Sequence, residues 1–124
     1  MRLENQDVVN FPSGHNTVRD GYLVTLSVRE VEWQPVVTLS FRVPQGSKGS
    51  CYDLELSGEV KFDYNFSSES TPDQIGFVKC LWTADGCFYL SLDPWMERES
   101  FVSDQDSDWF KSKSAVLTVA NRDR

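Results

Sequence analysis

Apolar and polar residues alternate with a period of two along most of this chain, and no window of useful length repeats every 3.6 residues. Successive side chains of a strand point to opposite faces, so this period selects extended segments that each bury one face. In Tyr22 to Arg29, Tyr22, Val24, Leu26 and Val28 form an apolar face opposite Thr25, Ser27 and Arg29. In Val36 to Val43, Val37, Leu39, Phe41 and Val43 face inward, and Pro35 and Pro44 bracket a strand whose ladder stops at both ends. A third run places Tyr52, Leu54, Leu56, Val60, Phe62 and Tyr64 on one parity, opposite Asp53, Glu55, Glu59, Lys61 and Asp63. Gly58 falls in register among them and marks a bulge, a bend or a break into two strands.

Phe77 to Leu92 predicts a hairpin closed by Asp85-Gly86, a pair suited to the positive φ of a type I′ turn. A two-residue loop sets Thr83 against Phe88, Leu81 against Leu90 and Lys79 against Leu92 on one face. The other face pairs Trp82 with Tyr89 and Cys80 with Ser91. Lys79 interrupts the first face at the open end, and neither face is cleanly polar. Cys87 stands roughly 13 Å from the partner of Cys80 in this register, too far for a disulfide. Ser114 to Ala120 is the last strand, and a weaker one covers Asp7 to Phe11. Gln45 to Ser50 and Ser67 to Asp73 read as polar connections. Seven or eight strands with short turns predict an all-β fold, with α+β as the outer limit. The expected architecture is a single-domain antiparallel β-sandwich or partly open barrel over residues 1–124.

Composition narrows the function classes. The 124 residues carry 12 Lys+Arg against 19 Asp+Glu, a net charge of −7. That balance argues against nucleic acid, whose phosphates require a basic footprint, and against anionic lipid. No apolar run resembles a signal-peptide core or a membrane span, so the expected compartment is cytoplasmic. Cys51, Cys80 and Cys87 are odd in number and lack a CxxC spacing, as suits reduced thiols. The lone His15 sits in a turn-rich stretch and cannot build a His-rich metal site. No phosphate loop and no Gly-x-Ser-x-Gly elbow is present. Asp53, Glu55, Glu59 and Asp63 could meet a glycosidase spacing, but such carboxylates are the ordinary polar face of a sheet. We therefore expect no cofactor, no metal and no enzymatic activity.

The segment from Asp93 to Trp109 breaks the strand pattern. Its acids Asp93, Glu97, Glu99, Asp104, Asp106 and Asp108 against the single base Arg98 give a net of −5, most of the imbalance of the whole chain. Trp95, Phe101 and Trp109 lie among them. Two readings compete. In one, this is a solvated acidic loop whose aromatics tuck beneath it to cap the sandwich. In the other, Trp95, Glu97, Glu99, Asp104, Asp106, Asp108 and Trp109 form a surface for a basic protein partner. Asp104-x-Asp106-x-Asp108 starts like a calcium loop, but Trp109 and Ala115 occupy the positions where an EF-hand needs Gly and Glu. Trp82 and Tyr89 could form a stacking platform for a carbohydrate or small ligand if they shared an exposed face. A structural subunit of a bacterial or phage assembly is a further alternative.

The aromatic strand that runs into Leu90-Ser-Leu-Asp-Pro-Trp95, with the acid-rich stretch to Trp109, resembles the small immunity proteins of bacterial polymorphic-toxin and contact-dependent inhibition systems. The resemblance covers Phe77 to Val119 and is one of overall character. It implies a non-enzymatic antitoxin that neutralises a cognate basic toxin, such as a nuclease. The acids would then mimic phosphates, and Trp95 and Trp109 would be the apolar anchors.

Overall fold

The structure is a computed structural model, described here over residues 2–12, 17–43, 51–65 and 74–120. Among the described residues nine strands form two antiparallel sheets: β1 (Arg2–Glu4), β2 (Tyr22–Val31), β3 (Gln34–Arg42), β4 (Cys51–Ser57), β5 (Lys61–Asp63), β6 (Lys79–Trp82), β7 (Phe88–Asp93), β8 (Ser107–Ser112) and β9 (Ser114–Ala120). Sheet one has the order β1-β9-β4-β3-β2 and sheet two the order β5-β8-β7-β6, the expected all-β sandwich. Asn5–Val8 forms a 3-10 turn, so the strand expected over Asp7 to Phe11 is absent. Val8 instead enters the core from this turn, wholly buried. Pro44, His15 and the Gln45 to Ser50 and Ser67 to Asp73 connections lie outside the described residues.

The parity of β3 and β4 holds. Val37, Leu39, Phe41, Tyr52, Leu54 and Leu56 are all buried, facing Phe88, Leu90 and Phe110 of sheet two. Gly58 proves to be a break: its φ of 78° and that of 49° at Glu59 turn the chain from sheet one into sheet two. A Cβ at Gly58 would stand 2.8 Å from that of Lys113, the residue between β8 and β9. The Lys113 N–H donates to the Gly58 carbonyl at 2.8 Å, which ties together the two places where the chain changes sheet.

Two registers differ from expectation. In β2 a bulge between Leu23 and Thr25 shifts the parity, so Leu23 and Leu26 pack on the core while Val24 turns outward. At the β6–β7 hairpin Thr83 faces Cys87, with the Gly86 N–H on the Thr83 carbonyl at 3.0 Å and the Thr83 N–H on the Cys87 carbonyl at 2.7 Å. Gly86, at φ 79°, closes a three-residue loop in place of the two-residue one. One extra residue moves every pairing: Lys79 opposes Ser91, Cys80 Leu90, Leu81 Tyr89 and Trp82 Phe88. Cys80 and Trp82 then face the core, and Lys79, Leu81 and Tyr89 face away from it. All three cysteines are free thiols.

Candidate functional site

The outer face of sheet two should be solvated, yet Lys79, Tyr89 and Ser91 are all buried there. The segment from Pro94 to Asp106 covers them. Lys79 opens β6 with its side chain wholly buried, and three acceptor groups meet its three ammonium hydrogens. Nζ lies 3.0 Å from Glu99 Oε1, 3.2 Å from the Phe101 carbonyl, and 3.1 and 3.0 Å from the two Asp106 oxygens. Asp106 also accepts from the Tyr89 hydroxyl at 2.8 Å, the Trp95 N–H at 2.9 Å and the Ser103 N–H at 3.2 Å. Burial alone would raise the Asp106 carboxyl, but the hydrogen bonds from Trp95, Tyr89, Lys79 and Ser103 outweigh it and hold the group below the usual carboxylate range. The Tyr89 hydroxyl moves the opposite way, raised first by burial and then by its bond to Asp106.

A second clamp sits beside this one. Glu97 pairs with Arg19 and accepts the Val78 N–H at 3.1 Å. Arg19 in turn donates to the Gly76 carbonyl at 3.1 Å. The chain before β2 runs against the chain before β6 here, through bonds of 2.8 Å from Asp20 N–H to the Ile75 carbonyl and from Ile75 N–H to the Gly21 carbonyl. Glu97, Glu99 and Asp106 therefore bind inward, and half of the acids counted in the loop neutralise cations of the same chain. Asp106 leaves the set of residues that could touch a partner, because its carboxylate is fully buried.

The apolar residues do the reverse. Trp95 is 61% exposed and Phe101 60%, with Met96, Val102 and Phe77 also outside. A solvated acidic loop with its aromatics beneath is therefore not what forms: Glu97, Glu99 and Asp106 tuck under the loop, and Trp95 and Phe101 stand on it. Asp104 is exposed. Asp108, at φ 49°, is half-buried and accepts the Asn65 N–H at 3.1 Å. Trp109 is half-buried in β8 and stacks on Tyr89 with centroids 6.2 Å apart, walling the ion cluster. The three aspartates that alternate from 104 to 108 thus diverge. Among the described residues no group of three or more His, Cys, Asp or Glu could hold a metal ion. Trp82 packs against the core on the opposite face from the buried Tyr89, so the proposed stacking platform does not form.

Lys79 and Arg19 organise this arrangement, and neither is among the residues that composition and charge single out for the site. The signal was present for Lys79, a lone cation breaking an apolar face; Arg19 left none. Among the described residues no helix is long and apolar enough to cross a membrane. No protein-family model, curated protein or solved structure matches the chain.

Proposed function

We propose that the chain is a non-enzymatic protein-binding domain of the immunity type, which neutralises a basic toxin through the loop over sheet two. One observation carries the reading: the loop spends half of its acids, Glu97, Glu99 and Asp106, on holding itself in place and leaves Trp95, Met96, Phe101 and Val102 in water. Five such residues, Phe77, Trp95, Met96, Phe101 and Val102, are exposed on or beside it. Exposed apolar surface of this kind marks interaction sites, and a central Trp is a typical energetic anchor. The loop is already ordered by buried ion pairs, so docking carries little further entropy cost. Exposed Asp93 and Asp104, on a chain of net charge −7, favour a basic partner.

In this reading Trp95, Met96 and Phe101 make the contact, Asp104, Asp108 and Trp109 form its rim, and Glu97, Glu99 and Asp106 position it. The test is titration of the purified protein against the basic toxin domain encoded beside it, at low and at high salt. Trp95→Ala and Phe101→Ala each weaken binding tenfold or more with unchanged melting temperature. Asp104→Asn slows association at low salt only. Affinity indifferent to all three substitutions and to salt would overturn the proposal.

A further inference from the structure

We propose that a second copy of this chain pairs edge to edge with β2, joining the two five-stranded sheets into one. Four sheet edges occur among the described strands: β1 and β5 have 3 residues each and β6 has 4, whereas β2 has 10. Short edges protect themselves, and long ones are normally guarded by charged side chains, Lys above all, by Pro or by a bulge. β2 contains neither Pro nor Lys, its charges are confined to Arg29 and Glu30 near the tip, and its bulge lies at its start, before Thr25. Its exposed residues include Val24 at 59%, Val28 at 54% and Val31. Val28 sits opposite Val37, which is wholly buried, so beyond Leu26 the cover over the core face stops at β3.

The tip adds a second observation. Val31 opposes Gln34, and the two residues between them, Glu32 and Trp33, stand at φ 51° and 68°. A turn of this type favours Asn and Gly, and each bulky residue in it costs roughly 1 kcal/mol or more. The strained Trp33 is also 88% exposed.

The hairpin geometry fixes how a partner would fit. The pair closing a two-residue hairpin exchanges both of its hydrogen bonds, and the ladder alternates from there. Thr25, Ser27, Arg29 and Val31 therefore direct their backbone groups to β3, and Leu26, Val28 and Glu30 direct theirs outward. An antiparallel second copy must oppose outward groups with outward groups. The register centred on Arg29 sets that cation against itself, and the one centred on Glu30 sets two carboxylates together. The register centred on Val28 opposes no like charges. It places Val28 on its counterpart, Leu26 across from the aliphatic stem of Glu30, and Trp33 beside Leu23 and the outward Val24 of the other copy. Arg29 stays with Glu55 of its own chain, 3.4 Å away. The exposed parts of Trp33 and the three valines cover on the order of 400 Å² per copy. With the strand backbone this approaches the roughly 800 Å² per partner of a stable interface.

Sedimentation of the full chain from about 1 to 200 µM tests this. The expected species at the upper end has twice the 14.2 kDa of the chain. Val28→Lys puts two ammonium groups on the symmetry axis and raises the midpoint for dimer formation at least tenfold. Trp33→Ser weakens the dimer similarly without lowering the melting temperature of the monomer. Val102→Lys, on the loop over sheet two, leaves the dimer intact. A monomer throughout the range overturns the inference. So does a dimer that Val102→Lys dissolves and Val28→Lys does not, which would place the contact on the loop. Far-ultraviolet circular dichroism of each variant separates loss of association from loss of fold.

Discussion

Replacing Lys79 with Met isolates the ion cluster, because the stem keeps its volume and only the ammonium is lost. Lys79 and Asp106 have fully buried side chains, and Glu99 is mostly covered. Without the cation, Asp106 keeps its bonds from Tyr89, Trp95 and Ser103 but remains an uncompensated charge, with Glu99 close by. Breaking a buried pair from one side costs about 3–5 kcal/mol. At roughly 4 °C per kcal/mol for a domain of this size, the melting temperature falls by about 12–20 °C. Trp95 and Trp109 bracket the cluster, so their fluorescence and the near-ultraviolet circular dichroism report the transition directly. The double variant Lys79→Met/Asp106→Leu removes both charges. It recovers part of the loss, since the apolar pair needs no desolvation of ions, although the N–H groups of Trp95 and Ser103 then lose an acceptor. A loss below about 1 kcal/mol for Lys79→Met would refute the argument, because the loop would then be held by something other than this ammonium.

Three further expectations follow from the same structure. The folded-state pKa of Asp106 is depressed, so its contribution to stability is complete above the unfolded value of about 3.9 and is lost as pH falls through the folded value. Urea titrations from pH 7 to pH 2 should show that loss in the parent chain and a smaller one in Asp106→Asn. Gly58→Ala should destabilise by more than the roughly 1 kcal/mol expected for Gly86→Ala, because both stand at positive φ but only Gly58 meets a neighbour, Lys113 Cβ at 2.8 Å. Differential scanning calorimetry of the two variants ranks them. Glu32→Asn/Trp33→Gly relieves the strained turn and should raise stability by about 1–2 kcal/mol in chemical denaturation of the monomer.

Period-two alternation marks an all-β chain, a sandwich or a partly open barrel, because the strand backbone itself points side chains to alternate faces, and the pairing into two sheets makes it the sandwich. The buried faces of β3 and β4 are legible for that reason: each has one dry side. β7 is not, since Phe88, Tyr89, Leu90 and Ser91 are all buried and a strand covered on both faces shows no alternation. The register of its hairpin depended on a single turn residue, and that one step exchanged the face of Lys79 with that of Cys80. β8 went unseen because its Ser107-Asp108-Trp109-Phe110 reads as the end of an acidic loop, until pairing with β7 gives Phe110 a core to enter.

The loop from Asp93 to Trp109 shows the same division. Its acids and aromatics were evident from composition, and so was the segment in which they concentrate. Which of the two would face inward was settled by Lys79 and Arg19, residues brought to it by sheet pairing and by the Gly21–Ile75 contact. A carboxylate enters the interior only where a cation and donors await it, and that provision is tertiary. The sequence by itself determined the longer strands and the chemical inventory of the loop. The tertiary structure alone decided that Glu97, Glu99 and Asp106 hold it in place and that Trp95 and Phe101 remain in water.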